Sequence, residues 1–198
     1  MIKHYLRELR DLCSYRVVGA GDAPAMLTGL IFEARDWCIR SFVVRQNALK
    51  RESIVIPQTC FRSLDDDRRE LQFEVDDQLL ASAECFQPES LVESPQFDAV
   101  AFLGRTIDGR DGLAGRVSDL LVNVDLWVLR YFVIDTDSRR VLTDIEWASS
   151  LAEGRERLLV DLPTEAIATA PPYENLGELC QGDEEVLYRH YTHTAYLF

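Results

Sequence analysis

The sequence predicts a mainly β chain made of two small tandem β-barrels, with short helices and an aromatic C-terminal tail. An internal repeat is the first observation that predicts it, because two blocks of the chain match two later blocks in the same order. The second is a series of short apolar runs separated by turn residues, which is typical of strands. Each copy holds about 75 residues, and closing so small a sheet into a barrel removes exposed strand edges.

The repeat is read by sliding the chain on itself. A slide of 90 positions aligns the first block without a gap, and among its matches are Trp37 with Trp127, Arg40 with Arg130 and Phe42 with Phe132. A slide of 87 aligns the second block, in which Leu71–Phe86 matches Leu158–Tyr173. A connection within the first copy is therefore three residues longer than its counterpart. Two ordered blocks indicate a duplication.

The two copies set the predicted domain boundaries. These are a first repeat over residues 1–87, a linker over 88–98, a second repeat over 99–173 and a tail over 174–198. The linker is predicted from its prolines and polar residues. Short helices are predicted at Thr164–Ala168 and in the tail, and Asp-Gly steps between Ile107 and Gly112 predict a tight hairpin.

The composition indicates a globular protein and argues against several other classes of protein and site. The 198 residues are 47% hydrophobic and 28% charged, which is ordinary for a globular protein. Lys and Arg number 21 against 34 Asp and Glu, and the resulting net charge of −13 opposes nonspecific binding of nucleic acid. Five scattered cysteines fit neither a disulfide framework nor a zinc site. Since no apolar window is long enough to span a bilayer, we expect a cytoplasmic protein that meets a membrane only through a partner.

The second copy carries a family pattern in Gly115–Leu121 and Trp127–Thr136, which continues through Leu158–Ile167 and Ala170–Tyr173 into the tail at Leu187–Tyr191. It resembles the PRC-barrel family, named for the cytoplasmic domain of the photosynthetic reaction centre H subunit and found also in the ribosome maturation factor RimM. The first copy resembles it less closely, because Arg45-Gln46 replaces the Asp135-Thr136 that follows the strand. The resemblance implies a bacterial assembly module whose partner is a membrane electron-transfer complex or a ribosome-assembly component.

The predicted strand Trp127–Ile134 is apolar on both faces. Alternation places Leu129, Tyr131 and Val133 on one face, and Phe132 and Ile134 on the other. A barrel strand needs only its inward face buried, so its outward face should be covered by the sister barrel, the tail or another subunit. We therefore expect close barrel packing, with a homodimer as a further possibility.

Arg40 and Arg130 occupy equivalent places on otherwise apolar faces, where a guanidinium needs an acceptor to offset its desolvation. We expect structural ion pairs. The candidate partners are Asp119 or Asp135 for Arg130 and Glu33 or Glu74 for Arg40. An anion site at the seam between the barrels is the functional alternative.

The tail holds His190 and His193, spaced as a metal pair on a helix could be. They are weak metal candidates, because a transition-metal site needs a third ligand and no further spaced His or Cys motif exists. The aromatic residues around them, among them Tyr188 and Tyr191, predict that the tail folds back onto a barrel or docks a partner.

Motifs that would carry catalysis or hold a cofactor are lacking in the sequence. The glycines between Gly109 and Gly115 have neither the Lys-Ser/Thr of a phosphate loop nor its strand-to-helix setting. The leading hypothesis is a noncatalytic interaction or scaffold protein without a cofactor, whose acidic surface favours a basic protein partner. A small-molecule or metal-binding sensor that uses the barrel seam or the histidines of the tail is the alternative, and an enzyme comes third.

Overall fold

The computed structural model describes residues 5–20, 24–46, 53–76, 96–151, 157–177 and 181–195, apart from the side chains of 150, 151, 181 and 193–195. The chain is mainly β and divides into two units. The first unit comprises Leu9–Val100, and the second unit comprises Met1–Glu8 together with Ala101–Phe198. Most of the predicted linker, residues 88–95, lies outside the described residues.

Strands account for most of the regular structure. They are β1 (Leu6–Glu8), β2 (Arg16–Val18), β3 (Ala25–Glu33), β4 (Ile39–Gln46), β5 (Ser53–Pro57), β6 (Phe61–Asp65), β7 (Glu70–Phe73), β8 (Gln96–Asp98), β9 (Thr106–Gly109), β10 (Gly112–Asn123), β11 (Val128–Asp135), β12 (Arg140–Asp144), β13 (Ala148–Leu151) and β14 (Arg157–Val160). The α-helices are α1 (Leu9–Leu12), α2 (Thr164–Ala168) and α3 (Gln181–Ala195), and 3₁₀ turns span Gln58–Cys60, Ala99–Phe102 and Ile145–Trp147. The predicted helices at Thr164–Ala168 and in the tail are both confirmed.

The first unit contains a mixed sheet in the order β5-β4-β3-β2-β7-β6. Antiparallel hairpins join its neighbouring strands, except that β2 lies parallel to β7. A seventh strand, β8, pairs with the C-terminal half of β3. Aromatic rings fill the core, where Phe42 packs edge-to-face on Phe73 at 4.9 Å.

The second unit contains a sheet in the order β12-β11-β10-β9-β14-β13. The strand β9 lies parallel to β14, and β1 pairs with the C-terminal half of β10. The predicted hairpin forms where Gly109 faces Gly112 across a turn of two residues. Among the described residues no pairing joins the two ends of either strand order, so what the structure displays is two sheets.

The two sheets repeat each other residue by residue. Leu30 faces Phe42 in the first, and 90 positions later Leu120 faces Phe132 in the second. The strands β5, β6 and β7 are related to β12, β13 and β14 by the offset of 87; for example, β7 starts at Glu70 and β14 at Arg157. The bulges in β3 and β10 also coincide. The three extra residues predicted for the first copy therefore fall between β4 and β5.

Each sheet includes a three-residue strand that the sequence repeat assigns elsewhere. The sequence groups residues 6–8 with the first copy, yet they form β1 in the sheet of the second unit. Residues 96–98, placed in the predicted linker, form β8 in the sheet of the first unit. The fold thus crosses the repeat boundary twice.

Both faces of β11 are buried, as its apolar pattern predicts. Leu129, Tyr131, Phe132, Val133 and Ile134 are each at most 3% exposed. The structure shows that α3, in the predicted tail, packs beside this strand within the same unit. Among the described residues, no helix is both long enough and apolar enough to cross a bilayer.

Candidate functional site at the C-terminal helix

The helix α3 is fixed to the second unit by buried polar contacts. The Tyr191 side chain is only 2% exposed, and its hydroxyl donates a hydrogen bond to the Leu142 carbonyl oxygen at 2.6 Å. It also lies 3.0 Å from the Thr143 hydroxyl. Leu187, one turn earlier, is buried on the same side. Tyr191 therefore anchors α3, as the sequence predicts for a tail that folds back, whereas Tyr188 is 71% exposed and residues 196–198 lie outside the described part of the chain.

A groove of about 370 Å³ runs along one side of this helix. It is named here the tail groove, and the residues that line it are Arg130, Tyr131, Asp144, Glu146, Trp147, Glu184, Leu187, Tyr188 and Tyr191. They come from the strand β11, the end of β12, the 3₁₀ turn that follows and α3. Aromatic rings form much of the wall, and three carboxylates face one guanidinium.

An ion pair forms part of the lining of the tail groove. Arg130 contacts Asp144 with 3.1 Å between Nη2 and Oδ2, and its Nη1 lies 3.6 Å from a Glu146 carboxylate oxygen. Asp144 is held in place because it also accepts the backbone N–H of Glu146 at 2.9 Å. The guanidinium carbon lies 5.2 Å from the centre of the Tyr131 ring, within range of a cation–π contact.

Two tyrosines hold the third carboxylate. The Tyr5 hydroxyl donates to Glu184 at 2.5 Å, and the Tyr131 hydroxyl donates to the same carboxylate at 3.1 Å. Burial and the Glu184 hydrogen bond raise the pKa of Tyr5 to about 12. Burial, followed by the Glu184 charge, also raises the pKa of Tyr131. Both hydroxyls therefore stay protonated at neutral pH and act as hydrogen-bond donors to the Glu184 carboxylate.

Burial acts in the same direction on Asp144, a group that forms an ion pair. Its desolvation raises the carboxyl pKa, although the Glu146 backbone N–H and the Arg130 charge oppose that shift. Removing the guanidinium would leave a desolvated carboxylate without its main counter-charge. The Asp144 side chain is 17% exposed and the Glu146 side chain 79% exposed, so Glu146 is the more accessible of the two carboxylates that pair with Arg130.

No family model matches the chain, and no curated protein matches it. Its function is therefore inferred from the chemistry of the site. Three carboxylates against one guanidinium favour a positively charged ligand, and the exposed ring of Tyr188 suits the stem of a lysine or arginine. The described lining includes no serine, cysteine or histidine that could act as a nucleophile or its base.

A smaller groove of about 160 Å³ lies on the other side of the helix. Leu187 lines both grooves, so the helix forms the ridge between them. Pro171, Pro172 and Tyr173 form the opposite wall, and Val186, 48% exposed, lies on the rim. Side chains at the rims of both grooves, including Tyr188 at 71% exposure, present apolar surface to solvent.

The two equivalent arginines, Arg40 and Arg130, both form ion pairs. The partner suggested by the sequence is observed for Arg40 but not for Arg130. Arg40 pairs with Glu33, one of its two candidates, at 2.9 Å and with Asp36. For Arg130 both candidates, Asp119 and Asp135, are wrong, because its partners are the two carboxylates of the tail groove. The pairing of β11 with β12 places Tyr131 opposite Asp144, and this register brings the carboxylate to the arginine.

The two aspartates have other roles. Asp119 is 8% exposed and accepts the backbone N–H of Leu120 at 2.8 Å. Asp135 is exposed and pairs with Arg140 at 3.1 Å across the β11–β12 ladder. Neither residue lines the tail groove.

The matched aromatic residues are structural. Phe42 and Phe132 are fully buried. Trp37 and Trp127 end the equivalent β3–β4 and β10–β11 turns with φ values of 58° and 50°. Trp37 stacks on Phe32 at 5.3 Å, and Trp127 is 3% exposed. A positive φ at a bulky residue is unfavourable by itself, so packing of each ring holds these turns.

The histidines are not assembled into a metal site in the described residues. His190 Nε2 donates a hydrogen bond to the Ala166 carbonyl oxygen at 2.7 Å, and this contact ties α3 to α2. His193 lies in α3, but its side chain lies outside the described part. No group of three or more His, Cys, Asp or Glu in the described residues is placed to hold a metal ion.

Several residues of the tail groove could not be predicted as a site from sequence patterns. Asp144, Glu146, Trp147 and Glu184 carry no spacing that marks them as a group. The only available signal was Glu184 upstream of the tail aromatic residues. Tyr5 lies 179 positions before Glu184, and only the fold brings the two together.

Proposed function

We propose that this chain is a noncatalytic interaction protein of tandem PRC-barrel type, which holds or helps to assemble a protein complex. The family pattern of the second copy supports the barrel assignment, as does the residue-by-residue repetition of the two mixed sheets. A cytoplasmic location is proposed with it, and any association with a membrane passes through the partner. The resemblance suggests a membrane electron-transfer complex or a ribosome-assembly component as that partner.

The tail groove is the observation that carries the proposal. It combines a rigid anchor at Tyr191, an exposed ring at Tyr188 and an exposed carboxylate at Glu146. Exposed aromatic residues beside a charged rim are typical of protein interfaces. The excess of carboxylates commits the groove to a basic segment of a protein, in which Lys or Arg meets Glu146 and its aliphatic stem lies on Tyr188. Bare nucleic acid would be repelled by the same charges.

A comparative capture experiment tests this proposal. The tagged chain, the double variant Glu146→Lys/Tyr188→Ala and the control Leu126→Ala would be incubated with extracts of the native host, fractionated into soluble, membrane and ribosomal material. Leu126 is a suitable control because it is 72% exposed and lies outside the groove. Bound proteins would be quantified by mass spectrometry and the leading one rebound in purified form.

The expected result is one protein with a basic segment that the wild type and the control retain equally and the groove variant loses at least about tenfold, which corresponds to about 1.4 kcal/mol. Its binding should weaken with salt, because the rim charge is exposed. Equal recovery of the same proteins by all three chains would contradict the proposal.

A small-molecule sensor is the second candidate, since about 370 Å³ lies within the range of ligand pockets. Thermal shift measurements with small organic amines and with divalent metal ions would reveal it. A saturable rise in Tm that is lost in Arg130→Met or Glu184→Gln would favour the sensor. The absence of any shift would leave the interaction role as the better account.

A further inference from the structure

We propose that the edge of β10 is a strand-binding site which accepts β1 from a second copy of this chain as well as from its own, so that the protein forms strand-exchanged dimers at high concentration. The inference does not rest on the proposed function, because it needs no bound partner, although one contact of β1, from the Tyr5 hydroxyl, is made to the groove residue Glu184. It rests on the way in which the sheet of each unit is completed.

The two exchanged strands occupy equivalent positions. In the second unit Leu6, Arg7 and Glu8 face Asn123, Val122 and Leu121. In the first unit Gln96, Phe97 and Asp98 face Glu33, Phe32 and Ile31. The strands 6–8 and 96–98 are 90 positions apart, and so are the segments 31–33 and 121–123 with which they pair. The same edge, in the same register, is thus used twice in one chain, which indicates a built acceptor for a short strand.

The strand β1 is held by contacts that all lie in the second unit. Leu6 is fully buried, and the Tyr5 carbonyl oxygen accepts the Val124 backbone N–H at 2.9 Å. The Tyr5 hydroxyl donates to Glu184, and the Tyr173 hydroxyl donates to Glu8 at 2.6 Å. The helix α1, which begins at the next residue, belongs to the first unit. The strand is therefore a terminal element of the second unit that the rest of this unit's own sequence joins only through the whole of the first unit.

A second copy can supply the same strand. Every hydrogen bond and buried contact named above would be reproduced if β1 came from another chain, because the sequence and the acceptor are identical. Exchange of an identical element is a route to dimers with a small free-energy difference, set mainly by the entropy of association. Three paired residues are few, so opening of this edge should require only local unfolding.

Cysteine pairing across the register tests the proposal in the full chain. Residues directly opposite in an antiparallel pair have Cα atoms about 4.5–5.5 Å apart, which suits a disulfide. Arg7→Cys and Val122→Cys would be made in separate chains whose five native cysteines are serine. The two chains would be mixed at high concentration, warmed below the main unfolding transition and equilibrated in a glutathione buffer. Arg7→Cys mixed with Leu126→Cys is the control, because position 126 is exposed and does not face β1.

The expected product is a mixed disulfide of twice the 22.6 kDa chain mass, formed with Cys at 122 and at least about tenfold less with Cys at 126, and increasing with protein concentration. The double variant Arg7→Cys/Val122→Cys should close within one chain and shows that the site accepts the bond. If the double variant closes while the mixture stays monomeric, or if both mixtures crosslink equally, the proposal is overturned. Should Val122→Cys unfold the chain, the register pair Leu6→Cys and Asn123→Cys gives the same comparison.

Discussion

The anchor of the C-terminal helix predicts a large stability difference between two tyrosines that lie three residues apart. In Tyr191→Phe the ring stays in place, but the Leu142 carbonyl and the Thr143 hydroxyl lose a partner at 2.6 and 3.0 Å. A buried polar group left unsatisfied costs about 1–3 kcal/mol. At about 2–4 °C per kcal/mol for a chain of this size, the Tm should fall by several degrees.

The matched control is Tyr188→Phe, which removes a hydroxyl from a side chain that is 71% exposed. Its effect should stay within about 0.5 kcal/mol. Urea titrations followed by far-ultraviolet circular dichroism and by tryptophan fluorescence would measure both variants, since Trp147 lies in the tail groove. Equal losses in the two variants, or a loss below about 0.5 kcal/mol for Tyr191→Phe, would refute the account of the anchor.

Two further predictions concern a pair of glycines, Gly19 and Gly104, and the carboxyl group of Asp98. Gly19 and Gly104 share a positive φ of 82° and 84°, but a Cβ at Gly19 would lie 1.9 Å from the Phe73 carbonyl oxygen, whereas a Cβ at Gly104 meets nothing within 4 Å. Gly104→Ala should therefore lower the free energy of unfolding by about 1 kcal/mol through backbone strain. Gly19→Ala should lower it several times more, or prevent folding. Similar urea midpoints for the two variants would show that the backbone at Gly19 does not approach Phe73 so closely. Burial raises the pKa of Asp98 in spite of its hydrogen bond from the Val100 backbone N–H, so its protonation favours the folded state and the wild type loses this stability as the pH rises through the raised pKa. Asp98→Asn still accepts that N–H, so its stability advantage over the wild type should vanish at acid pH and grow towards neutral pH; a difference that does not vary with pH would contradict this assignment.

The repeated sheet could be predicted because its information is local. Two copies of one pattern give the same turns, bulges and pairings, and Leu30 opposite Phe42 implies Leu120 opposite Phe132. The two short helices follow from equally local signals, such as Pro163 before α2. Closure of the sheets into barrels remains a proposal, because it depends on contacts that strand patterns do not specify.

The exchanged strands and the tail groove could not be predicted for a different reason. A strand of three residues, such as Leu6–Glu8, is too short to show alternation, and nothing in its sequence says which sheet it joins. The β11–β12 register brings Asp144 to Arg130, and only the tertiary fold brings Tyr5 to Glu184. A single sequence identifies the charged residues, but their ion-pair partners depend on the fold.

The most direct test of the interaction role is hydrogen exchange of the chain with and without the partner recovered by the groove-dependent capture. The account predicts added protection in the segments around Arg130, Asp144 and Tyr188, together with chemical crosslinks from Glu146 to lysines of the partner. It also predicts little change in the first unit. Protection confined to other surfaces, with the tail groove exchanging as in the free chain, would contradict it.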